Sequence, residues 1–353
     1  MDFKKIQKNL MLIIVFGIFL FLGKTAVQSL YASWQAKRHP APGAMVDIGG
    51  YKLHVIESGQ GSPSVILEAG FACFSLVWDL VQRDVAQFAH VYSYDRAGLG
   101  WSEPSPLRRI SPNMVQELHT LLETLHAPKP YILVGHSFGG LLMQLYANTY
   151  PDDVYALVLV DSSHELMIEK SGEFNRDSYS LLPSSFHRRW HEFLNAHGME
   201  TLSNFTGIRA VYLRSLAKNA WGCIPPEIKK PFVARLLSPQ GVYTRGQEMR
   251  HIAESHDAAK QAQNMFSDKP LIVISRGKII DEKTDPEKFW PYLTKAHLEV
   301  WSLLQNDLAT KSSNSTHIIA QKSGHTIVWS EPELIVDAIR SLVDQYHAEH
   351  KGR

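Results

Sequence analysis

The strongest chemical signal in this chain is a serine enclosed by glycines, in the sequence Gly-His-Ser-Phe-Gly at residues 135–139. An apolar run from Tyr131 to Val134 precedes it, and a helical pattern from Leu141 to Tyr150 follows it. Glycines around a serine between a strand and a helix are typical of a sharp turn that presents the hydroxyl at the edge of a sheet. The backbone N–H of Phe138, at the helix N-terminus, would then face a substrate oxygen. We therefore expect Ser137 to be a nucleophile.

A serine hydroxyl is a poor nucleophile at neutral pH, so this chemistry needs a base and a third group that orients the base. The chain has 17 histidines, and many carboxylates that are candidates for the third position. Residue type alone therefore cannot identify the base and the acid. They must be identified from the predicted strands and helices that could bring them close to Ser137.

The chain alternates short apolar runs with longer helical patterns, which predicts an α/β fold with a mostly parallel, doubly wound sheet. Met114 to Leu125 has apolar residues at three- and four-residue steps, as in an amphipathic helix. Ser330 and Glu333 form a capping-box pattern that predicts the start of a last helix. The predicted strands are Tyr51–Glu57, Ser64–Glu68, Val91–Tyr94, Tyr131–Val134, Ala156–Val160, Leu271–Ser275 and Thr316–Ala320.

The alternation stops after Ser162, and about a hundred residues follow without convincing strands. A structureless loop of that length is implausible in a compact domain. We predict a helical cap insertion at residues 163–266, between core segments 45–162 and 267–347. Its aromatic residues predict a lid over a mainly apolar pocket; they include Phe186, Trp190, Phe193, Trp221 and Phe232.

The N-terminal segment combines Lys4, Lys5 and Lys8 with an apolar run from Leu10 to Gly23. This pattern predicts a signal-anchor at residues 1–34 that attaches the protein to a membrane, followed by a linker at 35–44. A signal peptide that is cleaved, with secretion of the protein, is the alternative. Both interpretations place the catalytic part outside the cytoplasm.

The composition excludes some classes of function. The 36 basic and 35 acidic side chains nearly balance, so there is no electrostatic footprint for nucleic acid. Cys73 and Cys223 are the only cysteines, and two cysteines cannot build a metal cluster. The chemistry at Ser137 requires neither a metal nor an organic cofactor. Whether the cysteines pair, and the oligomeric state, stay open.

The chain resembles the α/β-hydrolase superfamily, in particular serine esterase-like members with a lid, over Met45 to Tyr346. The serine motif carries this resemblance, together with Asp-Arg-Ala-Gly-Leu-Gly-Trp-Ser at residues 95–102, which is similar to the family's D-x-x-G-x-G-x-S loop. We interpret that loop as structural. The resemblance implies that His325, in Ser-Gly-His at 323–325, is the general base. It also implies that the backbone N–H of Phe71 completes an oxyanion hole with Phe138, with Ala72 as a neighbouring alternative.

The acid has two candidates under this resemblance. Asp161 follows the strand Ala156–Val160, where some members of the superfamily carry their acid. Asp281 follows Leu271–Ser275, which is the commoner position, although the spacing is one residue longer than usual. Asp161 is favoured, and Asp285 or Glu282 are lesser candidates.

The resemblance implies hydrolysis of a carboxylic ester through an acyl-enzyme, and the apolar lid suggests a medium-sized hydrophobic acyl ester as the substrate. A serine at position 137 excludes the alkyl-enzyme chemistry of relatives that have aspartate there. Three alternatives share the fold: an acyltransferase, an aminopeptidase-like hydrolase and a ligand-binding receptor without turnover.

Overall fold

The computed structural model describes residues 38–171, 224–236, 238–262, 265–278 and 295–351, together with isolated positions before residue 38. Eight strands form one sheet in the order β1-β2-β4-β3-β5-β6-β7-β8. β2 runs antiparallel to β1 and β4, and all other neighbours are parallel. The strands are β1 Ala44–Asp47, β2 Lys52–Ser58, β3 Ser64–Glu68, β4 His90–Tyr94, β5 Tyr131–His136, β6 Val154–Val160, β7 Leu271–Arg276 and β8 Ser315–Ala320.

Ten α-helices surround this sheet in the described ranges. They are α1 Asp79–Val85, α2 Ser111–Thr124, α3 Phe138–Thr149, α4 Met167–Ser171, α5 Pro226–Leu236, α6 Pro239–Arg250, α7 Ile252–Gln261, α8 Lys295–Leu308, α9 Ile327–Ser330 and α10 Pro332–Glu349. Two 3₁₀ turns, Ser75–Trp78 and Pro151–Asp153, complete the order.

The central strands are buried on both faces because helices cover each side of the sheet. Every residue of β3 and β5 is buried, as continuous apolar runs require in a parallel sheet. Two apolar clusters form the core. One contains Val134 and Trp78, and the other contains Leu133 and Tyr146, so successive residues of β5 enter opposite layers.

The parallel register brings four chain segments together at one edge of the sheet. Glu68 pairs with Gly135, His136 with Val160, and Val160 with Ile274. The residues that follow β3, β5, β6 and β7 therefore leave the sheet side by side. Binding sites of such sheets lie beyond the carboxyl ends of the strands.

The predicted fold class is confirmed. The seven predicted strands correspond to β2–β8, with ends that differ by at most two residues, and β1 was not predicted. The prediction of a capping box at the start of the last helix was wrong. The last helix begins at Pro332 after Glu331, without a side-chain cap. Ser330 is instead the last residue of α9. Its hydroxyl donates a hydrogen bond to Ser323 Oγ, 2.6 Å away, in the loop that carries His325.

The described part of the predicted insertion contains α4–α7 and no strand. Phe232 of α5 stacks on Phe74 with a centroid distance of 4.8 Å, and is buried. Among the described residues, no helix has the length and apolarity to cross a membrane. Most of the predicted anchor lies outside the described residues, as do Cys223, Trp221, Phe186, Trp190 and Phe193.

Candidate active site

Ser137 occupies the turn between β5 and α3 in a strained backbone conformation, with φ 54° and ψ −123°. A non-glycine residue with positive φ persists only where its surroundings enforce it. Here the Ser137 N–H donates to Val160 O at 3.1 Å, and Ser137 O accepts from the N–H groups of Gly140 and Ser163 at 2.9 and 2.8 Å. The elbow is therefore clamped to the end of β6.

The glycines around this serine are required by close backbone approach. A Cβ at Gly135 would lie 2.6 Å from Gly139 O, and a Cβ at Gly139 would lie 2.4 Å from Glu68 O. A Cβ at Gly140 would lie 2.1 Å from Ser162 Oγ. The turn therefore has room for a side chain only at the positions between these glycines.

Ser137, His325 and Asp161 form a continuous hydrogen-bonded chain. His325 lies in the loop between β8 and α9, and its Nε2 is 3.0 Å from Ser137 Oγ. Its Nδ1 is 2.6 Å from Oδ2 of Asp161, which is fully buried just after β6. The alternative acid Asp281, with Glu282 and Asp285, lies outside the described residues. This geometry is that of a nucleophile, a base and an orienting acid.

Two further donors hold the carboxylate of Asp161. Arg276, the last residue of β7, donates from Nε and Nη2 to Oδ2 at 2.8 and 2.5 Å. Trp301 of α8 donates from Nε1 to Oδ1 at 2.9 Å. Burial alone would raise the pKa of Asp161, but Arg276 and the hydrogen bond from His325 outweigh it and hold that pKa below its usual range. The carboxylate is therefore ionised and fixed in orientation.

Arg276 was not predicted from the sequence as a site residue. Its Nη2 also lies 2.8 Å from His325 Nδ1, and its guanidinium carbon lies 4.8 Å from the centroid of the Trp301 ring. The only local signal was its position directly after the predicted strand Leu271–Ser275. In the structure this strand lies next to β6, which Asp161 follows. The register of β6 against β7 is what turns that position into a contact.

His136 holds the backbone of His325. Its Nε2–H donates to His325 O at 2.9 Å, and the two rings lie 4.7 Å apart. Burial, followed by the nearby His325, lowers the pKa of His136 to about 3. His136 is therefore neutral at physiological pH, and its hydrogen bond holds the loop that carries His325.

The two predicted oxyanion donors belong to different chain segments next to Ser137. Phe138 is the first residue of α3. Phe71 belongs to the loop after β3, and a Cβ at the preceding Gly70 would lie 3.2 Å from Ser137 Cβ. The alternative donor Ala72 uses its N–H to donate to Glu248 Oε2 at 3.3 Å. This leaves Phe71 as the candidate on the loop.

A buried ion-pair cluster lies behind this loop, and the sequence did not predict it as part of the site. Arg96 donates from Nη1 to Glu68 Oε1 at 2.7 Å and from Nε to Glu248 Oε1 at 2.8 Å. The three side chains are 1, 1 and 0% exposed. Burial raises the pKa of Glu68, and Tyr94 donates a hydrogen bond to it.

One group in the described ranges has the donor types of a metal site, and it lies at the other end of β5. His119, Glu123 and Asp153 place one ligand atom each within 4.8 Å of the others. However, Lys129 Nζ already contacts both carboxylates at 2.8 Å. The Lys129 ammonium already supplies the positive charge between these carboxylates. We therefore assign no metal to this cluster.

The chain was compared with known proteins. The family model described as alpha/beta hydrolase fold matches residues 63–332. "Uncharacterized protein YqjL" of Bacillus subtilis is 25% identical over 80% of this chain and 83% of its own length. "Probable transporter efuK" of Hormonema carpetanum is also 25% identical, over 91% of this chain but only 45% of its own length.

Solved structures agree on the fold. A thermophilic esterase from Thermogutta terrifontis superposes with a TM-score of 0.57 at 19% identity, covering 86% of this chain and 98% of that one. The epoxide hydrolase CorEH has the same TM-score at 16% identity, with the same two coverages. Identities this low show only a shared fold. The reaction must therefore be inferred from the residues of the site.

Proposed function

The chain belongs to the alpha/beta hydrolase fold family, and from that premise we propose that it is a serine hydrolase that cleaves carboxylic esters. One observation carries the proposal. Ser137 Oγ is 3.0 Å from His325 Nε2, while His325 Nδ1 is 2.6 Å from the buried carboxylate of Asp161. A serine hydroxyl with this base and this orienting acid performs acyl transfer.

The reaction runs in two halves. Ser137 Oγ attacks the ester carbonyl carbon while its proton passes to His325 Nε2, and the tetrahedral oxyanion accepts from the N–H groups of Phe71 and Phe138. His325 then protonates the leaving alcohol, which leaves an acyl-enzyme at Ser137. A water molecule, deprotonated by the same imidazole, attacks the acyl carbon. The imidazolium then returns the proton to Ser137 Oγ as the acyl–oxygen bond breaks, which releases the carboxylic acid and regenerates both residues.

Asp161 stabilises the imidazolium that forms when His325 takes up a proton, and it holds the ring in the required tautomer. Arg276 and Trp301 keep the carboxylate in position, since both donate to its oxygens. None of these steps uses a metal or an organic cofactor, and the first proton transfer, from Ser137 Oγ to His325 Nε2, joins atoms that are 3.0 Å apart.

The substrate that we propose is a medium-sized, hydrophobic acyl ester. The names of similar proteins include a monoacylglycerol lipase of Homo sapiens, 33% identical over 28% of this chain, and a carbamate hydrolase of Cronobacter turicensis, 32% identical over 29%. The balanced charge of the chain argues against a highly charged substrate. The apolar run from Leu10 to Gly23 supports the further proposal that residues 1–34 anchor the protein to a membrane.

Labelling with a fluorophosphonate tests the proposal, because such reagents modify a serine only where it is activated. We expect the parent to be labelled, and Ser137→Ala and His325→Ala to lose both labelling and ester turnover. Ser341→Ala, whose hydroxyl donates only to Ala338 O in α10, is the matched control. Undiminished turnover in Ser137→Ala would disprove the mechanism.

Two extensions of this experiment address the substrate and the alternatives. Rates across esters of increasing acyl length should rise from acetyl to medium chains, and a preference for acetyl contradicts the hydrophobic assignment. Product analysis with an added alcohol distinguishes hydrolysis from acyl transfer, since a transferase forms a new ester at the expense of the free acid.

A further inference from the structure

Arg96 binds backbone as well as carboxylates. Its Nη1 donates to Ala69 O at 2.7 Å and its Nη2 donates to Gly70 O at 2.9 Å, in the loop that follows β3. The Arg96 side chain is buried, so water does not compete for these carbonyl groups. Charge-assisted hydrogen bonds of this kind are stronger than neutral ones. The guanidinium thus fixes two consecutive peptide groups.

The orientation of one of these peptides matters for the proposed chemistry. In a trans peptide the C=O and the following N–H point in opposite directions. The bond between Gly70 and Phe71 is trans, so an Arg96 that holds Gly70 O turns the Phe71 N–H away from the guanidinium. Gly70 itself lies against Ser137, with 3.2 Å between its ideal Cβ position and Ser137 Cβ.

Glu248 orients the guanidinium in turn. Its two carboxylate oxygens accept from Arg96 Nε and Nη2 at 2.8 and 3.2 Å, a bidentate pair that fixes the plane of the guanidinium. The same carboxylate accepts from the Ala72 N–H. Glu248 therefore contacts the loop on both sides of Phe71, once directly and once through Arg96.

Glu248 does not belong to the sheet or to its connecting loops. It lies on α6, in the chain segment between β6 and β7. α6 packs tightly on the loop after β4, since a Cβ at Gly98 would lie 2.2 Å from Thr244 Oγ1. The conformation of the loop beside the nucleophile therefore depends on the docking of a helix from the insertion.

We propose that Arg96 and Glu248 are positioning residues that orient the Phe71 amide toward the developing oxyanion. The inference rests on the proposed serine hydrolase function and adds a role for the insertion: the docked α6 completes the oxyanion hole. When Glu248 is displaced, Arg96 loses the partner that fixes its plane, and the Gly70–Phe71 peptide loses part of its support, although Gly70 O still accepts from the Cys73 N–H at 3.1 Å. Ser137, His325 and Asp161 then stay in place, but the oxyanion loses alignment with a donor.

A comparison of esters with thionoesters tests this inference. Sulfur accepts hydrogen bonds more weakly than oxygen, so an intact oxyanion hole favours the ester over the matching thionoester. Glu248→Gln keeps the shape and one acceptor oxygen but removes the charge. Because loss of a whole donor costs roughly 100- to 1,000-fold in kcat, we expect about a tenfold loss in kcat for the ester with KM nearly unchanged. We also expect a smaller ester-to-thionoester ratio.

Controls separate positioning from general damage. Rates in the full chain are expressed per active site titrated with fluorophosphonate, so unfolded protein does not count. Glu117→Gln disrupts a comparably buried pair, Arg109 with Glu117, whose hydrogen bonds go to each other and to Tyr51. This variant should keep the parent ratio. Arg96→Lys retains the charge but not the bidentate geometry, and should lower the ratio like Glu248→Gln.

The outcomes are distinct. An unchanged ester-to-thionoester ratio in both Glu248→Gln and Arg96→Lys overturns the inference, while a parent that is labelled at Ser137 keeps the proposed function intact. A parent without labelling removes the proposed function itself. If Glu248→Gln gives no titratable protein, Glu248→Asp provides the same measurement, since the shorter side chain keeps the charge but cannot reach both Arg96 and Ala72.

Discussion

Two arginines support the groups around Ser137, and they hold different kinds of group. Arg276, at the end of β7, donates to the side-chain carboxylate of Asp161. Arg96, just after β4, donates to the backbone carbonyls of Ala69 and Gly70. In the proposed mechanism the first arginine supports the groups that move the proton. The second supports the peptide that would face the oxyanion.

The two clusters also differ in charge. Asp161 has its own arginine, and its pKa lies below the usual range. Arg96 faces two carboxylates, and burial raises the pKa of one of them, Glu68. One arginine thus neutralises a single carboxylate at the base, whereas the other is shared between Glu68 and Glu248. Substitutions in the two clusters should therefore differ in their effects on kcat and on the pH dependence of stability.

The largest effect is expected from Asp161→Asn, which removes the acid from the first cluster. An amide cannot stabilise the imidazolium and favours the wrong tautomer of His325, so kcat should fall by about four orders of magnitude. Asp307→Asn, which removes the partner of His164 at a half-exposed position, is the control and should retain activity. Steady-state kinetics on titrated enzyme provide the measurement. Near-parental kcat in Asp161→Asn would assign the acid to another residue, with Asp281 next to be tested.

The choice between these two acids shows where sequence reasoning ends. Apolar runs revealed the strands, and the local motif around Ser137 revealed the elbow because strand, turn and helix are contiguous. Asp161 and Asp281 each follow a predicted strand, and only a spacing one residue longer than usual separated Asp281 from Asp161. What favours Asp161 is the distance of 2.6 Å between its Oδ2 and His325 Nδ1, a contact between residues 164 positions apart.

The two arginines were beyond sequence reasoning for a related reason. Arg276 contacts a carboxylate 115 positions away, and Arg96 contacts Glu248 across 152 positions. A single charged residue at a strand end or on a helix has no periodicity that predicts its partner. The motif that contains Arg96 indicated a structural loop, but it gave no sign that the arginine reaches the peptide before Phe71.

Arg276→Gln should have the second largest effect, and it should depend on pH. Asp161 has a folded-state pKa below its unfolded value of about 3.9. The Asp161 pair therefore stabilises the fold above that pH and loses its contribution as pH falls. Without Arg276, burial raises the pKa of Asp161. We expect parent and variant to differ by about 3–5 kcal/mol near neutral pH, and this gap to narrow as pH falls below about 4 toward the lower folded-state pKa of Asp161 in the parent.

Urea unfolding at a series of pH values measures this difference. Arg276→Lys retains a positive charge but cannot reproduce the two parallel hydrogen bonds, so it should fall between parent and Arg276→Gln. Parallel stability curves at all pH values would show that Arg276 acts through packing on Trp301 alone. A gap that closes at low pH supports the ion pair.

His136 lies between the two clusters, and its substitution should have a smaller effect. The pKa of His136 is about 3, below an unfolded value of about 6.5. The unfolded chain therefore binds the proton more readily, and stability falls as pH decreases from 6.5 toward 3. His136→Gln should flatten this slope, and should lower kcat by about tenfold or less because the bond to His325 O is weakened.

His256 provides the matched comparison. Its pKa is about 4, again because of burial, and its ring bonds to Ile252 O within its own helix. His256→Gln should flatten the pH dependence of stability in the same direction while kcat stays near the parent value. Equal losses of kcat in the two variants would contradict a positioning role for His136. Denaturation between pH 4 and 7, together with kinetics, gives both readouts.

The smallest effect is expected from Glu254→Gln, which sharpens the comparison at the insertion. Glu254 of α7 pairs with Arg108 at 2.7 Å, so this pair also joins the insertion to the core, but its side chains are 49 and 59% exposed. Exposed pairs contribute little and are screened by salt. The midpoint of thermal unfolding should move by less than about 1 °C, and the ester-to-thionoester ratio should not change.

If Glu254→Gln lowered that ratio as much as Glu248→Gln, docking of the insertion as a whole would orient the Phe71 amide. An effect confined to Glu248 assigns that orientation to the buried pair with Arg96.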